Sequence, residues 1–197
     1  MKGADERACE DSRLMSRLPT PGLTALVYET GQGAIADSLL DGAAVRLREH
    51  GRRLAGTIQL PSPEGSGHRC DLLGRDLGSE VVVRLSMHNG AHARGCRLDT
   101  TRLEHLAGLA MATLEAGADV LIVSRFGKRE AQGGGFRSAI GWAATREVPV
   151  LVSVGRDHLL EWRSFAGDLA TELPAMPCSI ERWTAAVLGV PASSVVA

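Results

Sequence analysis

The segment ADVLIVSRFGKREAQGGGFRSAIGWAATR, residues 118–146, carries the plan of the chain. Val120-Leu121-Ile122-Val123 is a continuous apolar run, the pattern of a strand buried on both faces of a sheet. It stops in Ser124, Arg125, Lys128, Arg129 and Glu130, and the glycines Gly133, Gly134 and Gly135 precede a helix opened by Phe136-Arg137. A buried strand that ends in charges and glycines marks the carboxyl edge of an open α/β sheet, where such folds hold ligands. Three of those charges are basic, so the expected guest is an anion. A solvated loop of mixed charge is the plainer reading. The glycines favour the first, because they let a backbone come close to a ligand.

Outward from this segment the same alternation repeats. The helix from Phe136 to about Thr145 leads to a buried strand, Val148–Val154. Upstream, Thr101 and Glu104 have capping-box spacing before a helix with Leu103, Leu106, Ala107, Ala110 and Leu114 on one face. Leu23–Tyr28 reads as a first strand, followed by the turn Glu29–Ala34 and a helix from about Ile35 to Gly51. Leu54–Gln59 is a second strand, ended by Pro61 and Pro63, which completes a βαβ unit. Cys70–Leu77 and Val81–Met87 form a β-hairpin around Gly78-Ser79, an insertion over about residues 68–88. Asp157 is placed to cap a helix through Leu160, Trp162, Phe165 and Leu169. Residues 171–178 read as a loop, and Ser179 as the cap of a last short helix around Trp183. Trp162, Phe165 and Trp183 are assigned to packing. The expected organisation is a flexible leader over 1–20 and one domain over 21–197. The expected fold is a three-layer α/β architecture with a mainly parallel sheet.

The chain has 197 residues and a net charge of −1, which disfavours a general nucleic-acid binder, whose footprint is strongly basic. Four cysteines (Cys9, Cys70, Cys96, Cys178) lie far apart, and the charged amino terminus has no signal-peptide core. Reduced thiols and a cytoplasmic location are therefore expected. No apolar run reaches the length of a membrane span. A homo-oligomer is compatible with the sequence.

The first turn invites comparison with the phosphate loop G-x-x-x-x-G-K-[ST]. The matching span is Gly31-Gln32-Gly33-Ala34-Ile35-Ala36-Asp37-Ser38. The first glycine and the serine are kept, while Ala36 stands for the second glycine and Asp37 for the lysine. An aspartate there repels a triphosphate, so magnesium–ATP binding in the usual manner is disfavoured. The placement, after a first strand and opening a helix, still suits an anion on free N–H groups.

A second chemically rich stretch is His88–Asp99. His88, His92 and Cys96 are four apart, and His68 and Cys70 can approach from the hairpin, so a zinc site can be drawn. Gly90 and Gly95 argue against the helix that this spacing needs, and no pair completes four ligands. No metal is assigned. Arg94 and Arg97 fit better as anion contacts or surface charges, and Cys96 has no base fixed beside it. Arg46, Arg48, Arg52 and Arg53 form a basic helix end, read as solvated charge.

Leu23 to Ala170 resembles a bacterial family catalogued as domain of unknown function 2478. The resemblance is carried by Gly95-Cys96-Arg97-Leu98-Asp99, Arg125-Phe126-Gly127-Lys128 with Glu130, Gly133 and Gly135-Phe136-Arg137, and Ser164-Phe165-Ala166-Gly167. Members of that family often accompany molybdate-transport and molybdenum-enzyme genes, so the resemblance implies a role in molybdenum handling, with molybdate as the implied ligand and molybdenum transport or cofactor proteins as implied partners. It supplies no reaction. More remotely, Phe126-Gly127-Lys128-x-Glu130 is similar to the Walker-B side of thermophile-type nucleoside triphosphatases, which implies a degenerate P-loop NTPase-like fold. Those enzymes have an acidic pair where this chain has Ser124-Arg125, so the metal-holding carboxylate and the phosphate-holding lysine are absent together.

The leading expectation is binding of a small oxyanion, molybdate, tungstate or phosphate-like, held by Arg125 and Lys128. Gly31, Gln32, Gly33, Ser38, Gly133, Gly134 and Gly135 would supply amide or hydroxyl donors, with Arg94, Arg97 and Arg137 assisting. A second reading is a phosphoryl-handling enzyme in which Lys128 replaces the loop lysine and Glu130 or Asp99 is the base. A third is a non-catalytic interaction module.

Overall fold

The protein is described by a computed structural model over residues 22–61, 72–87 and 97–191. In chain order the elements are β1 (Leu23–Tyr28), α1 (Gly33–Glu49), β2 (Leu54–Leu60), β3 (Leu73–Asp76), β4 (Val82–Arg84), β5 (Ser86–Met87), β6 (Arg97–Leu98), α2 (Thr100–Glu115) and β7 (Val120–Phe126). There follow α3 (Lys128–Ala131), α4 (Arg137–Thr145), β8 (Val150–Gly155), α5 (Leu159–Ala166), β9 (Ala170–Pro174) and α6 (Pro177–Leu188). Short 3-10 turns, Arg156–His158 and Gly167–Leu169, flank α5.

Seven strands make one sheet in the order β4-β3-β2-β7-β8-β1-β9. The five strands from β2 to β9 in that order are mutually parallel, and β3 and β4 add an antiparallel edge as the expected hairpin. The central strands are apolar on both faces because helices cover both, as parallel crossovers require. All six residues of β8 are buried. On one face α1 and α6 pack Ala36, Leu40, Ala43, Ala44, Leu47, Ile180 and Trp183 against Leu26, Ile58, Ile122 and Leu151. On the other, α2, α4 and α5 pack Leu106, Ala110, Ile140 and Trp162 against Leu121, Val123, Val152 and Val154. The result is a three-layer α/β fold of P-loop NTPase-like type.

The tryptophans pack, as their apolar surroundings dictate. The buried Trp183 indole donates to the Thr24 hydroxyl at 3.1 Å. Trp162 meets Phe126 edge-on at 5.2 Å, and Phe165 stacks on Phe126 at 5.7 Å.

Several boundaries differ from the sequence expectation, each for a local reason. Residues 170–174 form an edge strand and not a loop, because β1 offers its free side to backbone pairing from Leu23 to Val27. Asp99 caps α2 by accepting from the Arg102 N–H at 3.2 Å; Thr101 and Glu104 form no capping box, since Glu104 is drawn to Arg129 and Gly135. Asp157 lies in a 3-10 turn and caps nothing, and α6 starts at Pro177, with Ser179 inside the helix. Cys178 is disulfide-bonded, which corrects the expectation of reduced thiols at that position. No described helix is long and apolar enough to cross a membrane. The expected leader and the histidine–cysteine cluster (His68, Cys70, His88, His92, Cys96) lie outside the described residues, as does Arg94.

Candidate functional site

The carboxyl ends of β1, β7 and β8 meet at a crevice of about 460 Å³ lined by Tyr28, Thr30, Gly31, Gly33, Ala34, Arg125, Phe126, Gly127, Gly155, Asp157 and His158. The start of the 17-residue α1 forms one wall. Its N-cap, Gln32, makes no side-chain cap and its first turn carries no acid. Among the described residues, the Gly33 and Ala34 N–H groups have no acceptor. Unfilled donors at a helix start favour negative charge.

Arg125 reaches this wall through a backbone irregularity. Strict alternation along β7 would send Leu121, Val123 and Arg125 to the face covered by α2. The β7–β8 register instead shifts between Val123 and Phe126, and Phe126 takes the buried place beside Val123. Arg125 has φ of 106°, a conformation rare for a side-chain-bearing residue. Such a bulge re-aims a side chain. The guanidinium lies against Gly33, where a Cβ would stand 2.8 Å from Nη2.

The guanidinium does not arrive free. Asp37, at the phosphate-loop lysine position, accepts from Arg125 Nη2 at 2.7 Å and from the Ser124 hydroxyl at 2.6 Å. The Asp37 side chain is 11% exposed, so this pair is held out of bulk water on one side. The charges a nucleotide site would carry are exchanged, with the carboxylate on the helix and the cation on the strand. The net cationic crevice expected from the sequence is thereby neutralised. Arg125 keeps donors beyond Nη2, and its Nε is buried without a partner. Asp157 faces the crevice from β8's end and accepts from the Thr30 hydroxyl at 3.3 Å. Burial raises the Tyr28 pKa above its usual value; Arg125 opposes this, and Asp37 and Asp157 reinforce it. His158 Nδ1 is buried with no partner.

The glycine-rich loop binds an anion, but that anion is the protein's own. Glu130 Oε2 accepts from the Gly127 N–H at 3.0 Å and Oε1 from the Phe136 N–H at 3.2 Å. Glu104 Oε1 takes the Gly135 N–H at 2.8 Å and pairs with Arg129 at 2.7 Å. Gly135 has φ of 58°, and a Cβ there would stand 2.0 Å from Glu130 Oε1, so only glycine admits the carboxylate. Burial raises the Glu130 pKa, against the lowering by the Gly127 and Phe136 amides. The Gly135 N–H, followed by Arg129, lowers the Glu104 pKa.

Of the residues singled out from sequence, Gly31, Gly33 and Arg125 come together at the crevice. Gln32 is the N-cap beside it, and Ser38 is exposed on α1 outside its lining. Gly133, Gly134 and Gly135 line neither this crevice nor the cavity beside it. Arg137 donates to the Glu130 carbonyl at 3.3 Å and lies 4.2 Å over the Phe165 ring. The Arg97 backbone pairs with Met87 in β6, and that short ribbon is separate from the main sheet. Lys128 is turned to the other side of Arg125. There it lines an apolar cavity of about 220 Å³ with Leu72, Leu85, Leu98, Leu103 and Phe136. Tyr28, Thr30, Asp157 and His158 were missed, although Asp157-His158 follows a buried strand by the same rule that picked out Arg125. Among the described residues, no group of three His, Cys, Asp or Glu side chains could hold a metal ion.

Comparison with known proteins adds two findings. The model of a family described as Protein of unknown function (DUF2478) matches residues 23–183. The Molybdenum import ATP-binding protein ModC 2 of Bradyrhizobium diazoefficiens (strain USDA 110) is 29% identical over 147 residues. The match spans 75% of this chain and 16% of that relative. No solved structure matches the chain.

Proposed function

The chain belongs to the family described as Protein of unknown function (DUF2478), and from that premise we propose that it binds a small oxyanion of the molybdate, tungstate or phosphate type at the start of α1, in an accessory role in molybdenum metabolism. The name of the relative joins molybdenum import with ATP binding and supports a molybdenum- or nucleotide-related role. The observation that carries the oxyanion reading is the pair of unacceptored N–H groups at Gly33 and Ala34 beside Arg125. A tetrahedral dianion seated there takes backbone donors, the helix field and a guanidinium, the combination used for phosphate and sulfate. Against magnesium–nucleotide chemistry stand Asp37 at the lysine position and Ser124-Arg125 where carboxylates would hold the metal. The anion site thus narrows to Gly31, Gly33, Ala34 and Arg125, with Thr30 at its rim. The protein acts in the cytoplasm on this reading, beside molybdenum transport or cofactor proteins.

Isothermal titration with molybdate, tungstate, sulfate and magnesium–ATP tests the proposal. Molybdate and tungstate are expected to bind and ATP to give no heat. Arg125→Ala should weaken molybdate by about tenfold to a hundredfold, the loss of a charged hydrogen bond of roughly 1.5–3 kcal/mol. Heat with ATP and none with any oxyanion overturns it.

A further inference from the structure

The 220 Å³ cavity on the far side of Arg125 is unlike the crevice. Its apolar lining is made by Leu72, Leu85, Leu98, Leu103 and Phe136, from beside the hairpin, from β6, from α2 and from the start of α4. Its polar lining comprises Thr57, Gln59, Ser124, Arg125, Lys128, Arg129 and Glu130, of which Thr57 and Glu130 are buried. An apolar pocket with a few convergent polar groups is the usual form of a small-molecule site. At about 220 Å³ it lies below the roughly 300–1,000 Å³ of sites for drug-sized ligands, so it suits one small ring system.

The charges on the rim decide which ring system. Arg125 is answered by Asp37 and Arg129 by Glu104. Glu130 is buried, and both its oxygens accept from amides of its own loop. Lys128 is exposed and has no partner among the described residues. Among the described residues, the exposed unpaired charge at the mouth is therefore the Lys128 ammonium, beside an apolar chamber, while the Glu130 carboxylate is buried and turned to its amides. We propose that this cavity is a second binding site, which takes the ring body of a small aromatic phosphate or like organic oxyanion ester, with Lys128 holding its charged group. The site does not depend on the reading of the α1 crevice, since it shares only Arg125 and Gly127 with it. Lys128 acts here as a point charge outside the chamber, so the ring supplies affinity and the ammonium selects for the ester.

The test is titration of the full chain with 1-naphthyl phosphate, 1-naphthol and inorganic phosphate, on the parent protein, Lys128→Ala and Gln59→Trp. The aryl phosphate is expected to bind at least tenfold more tightly than 1-naphthol. Lys128→Ala should bring it down to the affinity of 1-naphthol, and Gln59→Trp, which fills the chamber from its rim, should abolish binding of both aromatic probes. Thermal midpoints near the parent value establish that the variants fold. Inorganic phosphate bound in the crevice should be indifferent to Lys128→Ala, so failure of the crevice reading shows as loss of inorganic phosphate and molybdate binding alone. The proposal is overturned if the aryl phosphate binds no better than 1-naphthol, if Lys128→Ala leaves its preference over 1-naphthol unchanged, or if neither aromatic probe binds.

Discussion

At the scale of single residues, Arg125 is the position where backbone and charge are most closely joined. Its positive φ is disfavoured by roughly 1–3 kcal/mol in a residue with a Cβ, and its contact with Asp37 offsets part of that. Arg125→Gly and Arg125→Ala both remove the guanidinium, but only glycine relieves the backbone. Chemical denaturation should find the glycine variant more stable than the alanine variant by about 1 kcal/mol. Glu130 gives a second test at this scale. Burial raises its pKa above 4.5, so the folded chain holds the proton more tightly than the unfolded chain. Its favourable contribution is complete below that value and is lost as pH rises through the folded pKa. Glu130→Gln removes this titration. Relative to the variant, the parent should lose stability as pH rises upward from 4.5, as read by urea midpoints across that range. None of this was legible beforehand, because Asp37 and Arg125 are separated by 88 positions and their meeting depends on a bulge that leaves no pattern in the residues.

At the scale of elements, the sequence was clearest where both faces are buried. The apolar runs of β1, β2, β7 and β8 announced themselves because parallel strands under two helical layers admit little else. The edge strand β9 did not, since its Glu172 and Pro174 suit an exposed rim and look like loop. The four-residue α3 is too short to show a period, and its charges concealed that Glu130 points inward. The glycines around it were read as letting the backbone approach a bound oxyanion; what Gly135 lies against is the chain's own Glu130 carboxylate. Gly135→Ala should therefore cost about 2–3 kcal/mol, by forcing Glu130 from its amides. Gly42→Ala, in the interior of α1 with open space where a Cβ would stand, should instead add about 0.5–1 kcal/mol. Denaturation midpoints of the two variants should move in opposite directions.

At the scale of the whole molecule, α1 is joined to the sheet by apolar packing along its length and by the Asp37 contact with Ser124 and Arg125 near its start. Asp37→Asn weakens that contact while freeing Arg125. Without ligand the variant should lose about 1–2 kcal/mol, and it should bind molybdate roughly tenfold more tightly than the parent. A larger rise in melting temperature with added molybdate than the parent shows would follow, since a ligand stabilises according to its concentration relative to its dissociation constant.

The aspartate also sets a valence threshold. Whatever settles beside Arg125 must compete with a carboxylate that is already tethered there and needs no concentration of its own. A singly charged visitor such as chloride or nitrate merely replaces one unit of charge with another and forfeits the advantage of the tether. A doubly charged tetrahedral ion would bring the extra unit that makes the exchange worthwhile, so on the proposed oxyanion reading the pocket would filter its visitors by charge before shape has any part to play.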